Sequence, residues 1–382
     1  MTQPRIRHIE LKRLVIPFTV AFRHASAERS ETSTLWVTAA LNSGVTGFGE
    51  SCPREYVTGE SVETAQRFFD RHEHALREQI VDVVSLRAWM ASHATEIDAH
   101  PAAWCAIELA LLDAFARSDG RTVERMLALP EIAGTFRYTA VLGDASLKAF
   151  AAMAEEYRRF GFRDFKVKLS GDLERDRAKM AVMRRLGIET VRVRADANNL
   201  WSDPVEAVGF LRLLDCPLFA IEEPLGPNQY NSLAHISDEL GCRVILDESL
   251  LRTDQLRALP MPASRWIVNV RVSKMGGLLR SLEVVAAARR SSVDIIVGAQ
   301  VGETSLLTRT GLTVARAAGD ALVAQEGAFG TRLLARDVCE PPLMFGEGGA
   351  LDSAAFPMLR GAGFGLPIPA QLQADERGTD PL

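Results

Sequence analysis

Five segments decide how this chain folds: FRDFKVKLS (162–170), TVRVRADAN (190–198), LFAIEEP (218–224), RVILDES (243–249) and WIVNVRVSK (266–274). Each is a short apolar run that ends in charge. The charged residues Lys168, Asp196, Glu222, Asp247 and Lys274 follow one another at intervals of 28, 26, 25 and 27 residues. One strand, one helix and two short connections occupy roughly 25 to 30 residues, so the interval is that of a βα unit. Charges at the carboxyl ends of consecutive parallel strands converge on one place. In a closed (β/α)8 barrel that place is the active-site mouth.

Working outward, FRYTAVLG (136–143), VDIIVGAQ (293–300) and ALVAQEGA (321–328) bring the strand candidates to eight. Most of the intervals hold helical patterns such as DLERDRAKMAVMRRLG (172–187). Eight such units in a row favour closure into a barrel. A doubly wound parallel sheet is the rival, but no GxGxxG or P-loop pattern is present.

A barrel takes about 250 residues, which leaves room in this chain for a smaller domain. Residues 1–130 lack the βα rhythm. IRHIELKRLVIPF (6–18) and STLWVTAALNSGVTGFGE (33–50) read as strands, the latter turning at Asn42-Ser43-Gly44. SVETAQRFFDRHEHALREQ (61–79) and PAAWCAIELALLDAFARSDG (101–120) read as helices, the second with Ile107, Leu111, Leu112 and Phe115 at helical spacing and Gly120 as C-cap. The expectation is an α+β capping domain over 1–130 and a barrel over 131–345. A Gly- and Pro-rich segment, 346–382, is expected to return to the first domain and to be disordered over its last ten or so residues. Thr19–Thr32 and Ser51–Ser61 read as irregular loops that can cover the mouth.

A net charge of −5, with Lys and Arg scattered, argues against nucleic acid or anionic membrane as partner. No apolar stretch approaches the roughly 20 residues of a membrane span, and the first residues lack a signal-peptide core. The five cysteines form no CxxC pair, which points to reduced thiols in the cytoplasm.

Asp196, Glu222 and Asp247 offer hard oxygens from three strand ends, a donor set suited to Mg²⁺, and without His or Cys it does not suit zinc. Asn198 and Glu248 flank them. Lys166 and Lys168, two apart on one strand, face the same way. Mutual repulsion is expected to lower the pKa of one of them enough for it to act as a base. Lys274 opens LysMetGlyGly, whose glycines permit a sharp turn. It lies opposite Lys168 on an eight-strand ring, so the two amines can address opposite faces of one carbon. From residue 131 onward the only histidine is His235, inside a helical stretch, so no His–Asp dyad is available in the barrel.

KVK (166–168), DAN (196–198), EEP (222–224), DES (247–249) and KMGG (274–277) resemble the enolase superfamily. Within it they look like the muconate-lactonizing-enzyme (mandelate racemase/muconate cycloisomerase) subgroup, similar to dipeptide epimerases and N-acylamino acid racemases. The resemblance implies Mg²⁺ held by Asp196, Glu222 and Asp247 and gripping a small-molecule carboxylate. Lys168 would take the α-proton to give an enediolate, tuned by Lys166, and Lys274 would return a proton on the other face or stabilise the enolate. Arg23, His24, Tyr56, Val57 and Thr58 fall where that family's capping loops contact the distal part of the substrate. Its dipeptide epimerases usually carry Asp-x-Asp at the eighth strand, where this chain has Gln325 and Glu326. The implied activity is racemisation or epimerisation of an N-acyl amino acid or related carboxylate. Cycloisomerisation and dehydration to o-succinylbenzoate are the alternatives on the same fold, and a non-catalytic metal-binding barrel is the third. A homo-oligomer is expected by family analogy.

Overall fold

The computed structural model describes residues 4–24, 27–187 and 190–373. In the first part of the chain β1 (Ile6–Leu14), β4 (Thr34–Leu41) and β5 (Thr46–Ser51) form an antiparallel sheet in the order β1-β4-β5. The β4–β5 hairpin turns at Gly44, which is left-handed with φ +83°. Helix Pro101–Ser118 packs on this sheet at unusually short range. A Cβ on Gly49 would stand 1.9 Å from the Ala106 carbonyl oxygen, and one on Gly47 would stand 2.2 Å from the Ala114 nitrogen. The close approach explains why every residue from Pro101 to Ala116 is buried, although the sequence periodicity suggests a single apolar face.

The stretch Thr19–Thr32, read as irregular, is instead largely a hairpin of β2 (Pro17–His24) and β3 (Ala27–Glu31). No Asn-Gly or Asp-Gly pair announces its turn, which is why sequence alone misses it. The hairpin leans on the segment after the last barrel strand: Thr19 N–H donates to Leu333 O and Ala335 N–H to Pro17 O, both at 2.8 Å. Ser51–Ser61 contains one helical turn, Glu55–Thr58. Its start is fastened to the barrel by Cys52 N–H donating to Ser273 Oγ at 2.9 Å.

The run 136–143 divides in two. Its first part lies in β6 (Thr135–Arg137), which pairs antiparallel with β15 (Ala350–Asp352) of the returning tail, and only the second part joins the barrel. The break falls at Tyr138, whose N–H donates to Gly349 O at 2.8 Å. The barrel strands are β7 (Ala140–Leu142), β8 (Asp164–Lys168), β9 (Arg192–Asp196), β10 (Ala220–Glu222), β11 (Arg243–Leu246), β12 (Trp266–Val270), β13 (Asp294–Val297) and β14 (Leu322–Gln325). They are ordered as in the chain, and each neighbouring pair is parallel. The sheet curls until its edges meet, where Thr139 N–H donates to Gln325 O at 2.8 Å. This is a (β/α)8-type barrel, with 3-10 turns in place of an α-helix between β11 and β12, joined to a mixed domain built from the first part of the chain. Below the mouth the interior is closed by an apolar layer of Ala220, Ile245, Ile267, Ile296 and Ala324.

Buried polar groups join the two parts. Glu50 of β5 accepts from Thr304 and Leu307 N–H at 2.8 and 3.0 Å, capping helix Ser305–Ala318. Glu108 accepts from Leu279 N–H at 3.0 Å at the start of helix Leu278–Arg290. Arg309 meets Glu124 through two bonds of 2.8 Å. Further along, the tail ties back to the first part, with Phe364 N–H donating to Asp113 at 2.7 Å and Val123 N–H to Gly363 O at 3.0 Å. Residues 374–382 lie outside the described residues, and with them the expected disorder of the terminus. All five cysteines are free thiols, and His235 is exposed on helix Tyr230–Leu240. Among the described residues no helix is long and apolar enough to cross a membrane.

Candidate active site

Because strand side chains alternate, Lys166 and Lys168 of β8, Asp196 of β9, Glu222 of β10 and Asn269 of β12 all face the barrel interior at its carboxyl end. Asp247, Arg271 and Lys274 join them from just beyond β11 and β12. The charges form an alternating chain. Lys168 contacts Asp196 at 3.1 Å, Asp196 contacts Lys166 at 3.3 Å, and Lys166 contacts Glu222 at 2.8 Å. Glu222 lies 3.6 Å from Arg271, Arg271 pairs closely with Asp247, and Asp247 contacts Lys274 at 2.8 Å. Lys168 and Lys274 are the two ends.

Lys166 is almost fully buried and also meets Glu326 at 3.2 Å. Burial opposes its charge, but Asp196, Glu222 and Glu326 outweigh burial and hold the ammonium above its ordinary range. The magnitudes make that outcome reasonable, since each attraction at contact distance is about 4 kcal/mol at an effective dielectric of 20, against a desolvation cost of several kcal/mol. The depression expected from lysine–lysine repulsion therefore does not apply to Lys166. Lys168 is more open, and its Nζ donates to Asp196 Oδ2 and to Asn198 Oδ1, the latter at 2.8 Å. Asn198 and Asn199 both adopt positive φ, +45° and +61°, a conformation that asparagine tolerates best among non-glycine residues. That turn aims the Asn198 amide back at Lys168.

Lys274 sits on the short helix Val272–Met275 rather than on the strand. Its Nζ donates to Asp247 O, Asp247 Oδ1 and Asn269 O at 2.6, 2.8 and 2.8 Å. The turn after it needs glycine. Gly277 has φ +103°, and a Cβ there would stand 2.5 Å from the Glu108 carboxylate.

The carboxylates titrate apart. Burial raises Asp196, but Lys166 and Lys168 overcome it and hold the group well below the usual range. Asp247 is likewise lowered, with Arg271 and then Lys274 outweighing burial. Burial prevails at Glu222, pushed up to about 7, and at Glu248, pushed up to about 9 with Asp247 and Glu223 adding to it.

Other residues singled out from the sequence are placed differently. Glu326 is engaged by Lys166 and by Arg194 at 3.1 Å. Gln325 follows the inward Ala324 on β14, so alternation turns it away from the barrel interior, where it borders a cavity of about 370 Å³ with Phe136, Ala315 and Arg316. Tyr56 and Thr58 lie on the turn that follows β5, Tyr56 exposed and Thr58 donating to its own Arg54 carbonyl at 3.4 Å. Arg23 and His24 belong to β2, and their side chains lie outside what is described.

Sequence reading passed over three residues. Glu223, the second glutamate of EEP, accepts from Asp247 N–H at 2.6 Å and from Ser249 N–H and Oγ at 2.8 Å each, fixing the end of β11. Arg194 is fully buried against Asp164, Glu326 and Thr139. Arg271 stands inside the charge chain. Period-two alternation from Asn269 gives Arg271 the inward direction, and that signal was available.

As the side chains stand, no three His, Cys, Asp or Glu groups among the described residues are arranged as metal ligands, because cations separate the carboxylates. The donor chemistry nevertheless fits a hard dication. Three carboxylates face one another's cations, and Glu222 Oε2 and Asp247 Oδ2 touch theirs without hydrogen-bond alignment.

The enolase C-terminal domain-like family matches residues 149–369. The chain is 28% identical over 356 residues to the L-Lys-D/L-Arg epimerase of Methylococcus capsulatus, covering 91% of this chain and 94% of that protein. A dipeptide epimerase of that organism, solved with Mg and the dipeptide L-Arg-D-Lys, superposes with a TM-score of 0.76 at 25% identity, covering 91% of this chain and 99% of the other. Identity to the N-succinyl-L-Arg/Lys racemase of Bacillus cereus is 23% over 314 residues, 81% of this chain and 84% of that one. The muconate lactonizing enzyme of Pseudomonas fluorescens shares the fold at a TM-score of 0.84 and 21% identity, covering 97% of this chain and 98% of the other. The first three of these are named epimerases and a racemase, which are isomerases. The family match spans more than half of the chain and includes every member of the charge chain, so this protein belongs to the enolase C-terminal domain-like family.

Proposed function

We propose that the protein is a Mg²⁺-dependent racemase or epimerase that exchanges the proton α to the carboxylate of an N-acylated amino acid. The observation that carries this reading is the placing of Lys168 and Lys274 at opposite ends of one alternating chain of charge. Mg²⁺, held by Asp196, Glu222 and Asp247, would supply a Lewis acid for the substrate carboxylate. Lys168 in its amine form takes the α-proton and becomes an ammonium, leaving a carbanion conjugated with the carboxylate. Lys274 as ammonium gives its proton to the opposite face and becomes the amine, and the roles reverse for the other enantiomer. Asn198 and Asp196 hold the Lys168 amine in place, while Lys166 sits as a fixed positive charge near the developing anion.

The N-acyl class is preferred over free-amine dipeptides because the eighth strand offers no spare carboxylate. Glu326 is already paired with two cations, and Gln325 faces elsewhere. The racemase and epimerase relatives support the reaction type, and the Mg-containing epimerase supports the metal. Single enantiomers of N-succinyl and N-acetyl amino acids, incubated with protein and Mg²⁺ and resolved by chiral chromatography, should converge on equal mixtures from either side. Conversion of a free-amine dipeptide, with the N-acyl compounds untouched, would reverse the preference.

A further inference from the structure

Asp247 has no oxygen free of a cation. Lys274 takes its Oδ1 and its main-chain carbonyl, and Arg271 takes Oδ2. The same guanidinium nitrogen of Arg271 lies 3.6 Å from Glu222 Oε1, an oxygen that also accepts from Asn269 Nδ2 at 3.1 Å. Arg271 thus bridges two of the three carboxylates assigned to the metal, its side chain is nine-tenths buried, and its Nε has no hydrogen-bond partner. Its other terminal nitrogen donates to Gln300 Oε1 at 3.2 Å, on the far side from the carboxylates.

The geometry points to Arg271 as an internal counter-cation that occupies the carboxylate oxygens in the metal-free protein and is displaced when Mg²⁺ binds. A lysine in this position could yield by losing its proton. A guanidinium keeps its charge at any pH a protein survives, so it yields only by moving. The bond to Gln300 is the contact it retains while Asp247 Oδ2 and Glu222 Oε1 are released. Arg271 therefore lowers the affinity for Mg²⁺ while it stabilises the metal-free barrel, since Glu222 and Asp247 have no other cation between them. The inference rests on reading Asp196, Glu222 and Asp247 as the ligands.

Calorimetric titration of Mg²⁺ into the full chain and into Arg271→Met tests it, together with thermal unfolding of both without metal. Losing one charge-assisted contact to a competing cation should tighten Mg²⁺ binding about tenfold or more. The metal-free variant should melt below wild type, and its melting point should gain more from added Mg²⁺. Arg271→Lys, which keeps a charge but has no second nitrogen for Gln300 and can yield by losing its proton, should bind Mg²⁺ with intermediate affinity and serves if the methionine variant does not fold. Equal or weaker Mg²⁺ binding by a folded variant overturns the displacement and makes Arg271 a residue that orders the ligands. Absence of binding to wild type and variants alike overturns the metal reading itself, and this inference with it.

Discussion

Lys166 and Lys168 share a single oxygen, Asp196 Oδ2, which their ammonium groups approach to 3.3 and 3.1 Å. The two residues face the same way from one strand, yet their surroundings differ. Lys166 lies deep among three carboxylates, whereas Lys168 stands at the mouth with one carboxylate and one amide. Replacing Lys166 with methionine leaves buried carboxylates without their cation, and we expect a loss of about 3–5 kcal/mol in urea unfolding. Lys168→Ala should abolish turnover at a smaller stability cost of about 1–3 kcal/mol, since its part-buried ammonium meets one carboxylate and one amide. Equal stability losses would mean that the two lysines are not divided in this way.

The second amine predicts an asymmetry. If Lys274 serves one face of the α-carbon, Lys274→Ala should slow exchange from one enantiomer by about 10²–10⁴-fold more than from the other. Following each enantiomer separately gives the comparison. Equal losses would place Lys274 outside proton transfer and leave it a role as a fixed charge.

Asp247→Asn removes a ligand charge while Glu223 still holds the backbone of that turn. The variant should remain folded by circular dichroism and bind Mg²⁺ at least about tenfold more weakly, the loss of one charge-assisted contact. Unchanged affinity in a calorimetric titration would take Asp247 out of the ligand set.

Glu108 gives stability a pH dependence away from the charged mouth. Burial lifts its carboxyl from 4.5 to about 8, against the lowering effect of the Leu279 and Leu278 N–H groups. The folded value exceeds the unfolded one, so the contribution is complete below the unfolded value and is lost as pH rises through the folded value. Wild type should therefore lose stability across about pH 5 to 8, of which Glu108 supplies up to a few kcal/mol. Glu108→Gln keeps an acceptor for Leu279 N–H and should reduce that slope, with other carboxyls that burial raises, Glu50, Glu60, Glu222, Glu223, Glu248 and Glu303, supplying the remainder. An unaltered slope in urea unfolding at several pH values would show that Glu108 is ionised throughout.

Gly49 tests the packing of the first domain on its helix. A methyl group there would be forced into the Ala106 carbonyl, 1.9 Å away, and neither backbone can withdraw without parting β5 from the helix. Gly49→Ala should cost about 1–3 kcal/mol or more. A variant as stable as wild type would contradict the close approach.

The barrel was legible because its strands are short, apolar and regularly spaced, and because period-two alternation assigns Lys166, Lys168, Asp196 and Glu222 to one face before any coordinate is known. What remained hidden depends on distant partners. Nothing near Glu326 in sequence says that Lys166 and Arg194 will claim it. Alternation turns Arg271 inward, but nothing in VRVSK says that β11 will bring Asp247 beside it. The β2–β3 hairpin was missed for want of a turn signal, and the division of 136–143 because β15, its partner, lies more than 200 residues away. The surroundings of Lys166 are hidden for a similar reason: its near neighbour in sequence is Lys168, but its neighbours in space are carboxylates.

Proton NMR in D₂O with Mg²⁺, using both enantiomers of an N-acyl amino acid and comparing wild type with Lys168→Ala, tests the central claim most directly. The account predicts that wild type washes out the α-proton signal of both enantiomers with no other change in the spectrum, and that Lys168→Ala loses exchange from the enantiomer whose α-proton faces Lys168 and interconverts neither. Exchange from both enantiomers that persists in Lys168→Ala, or a new product formed without exchange, would contradict it.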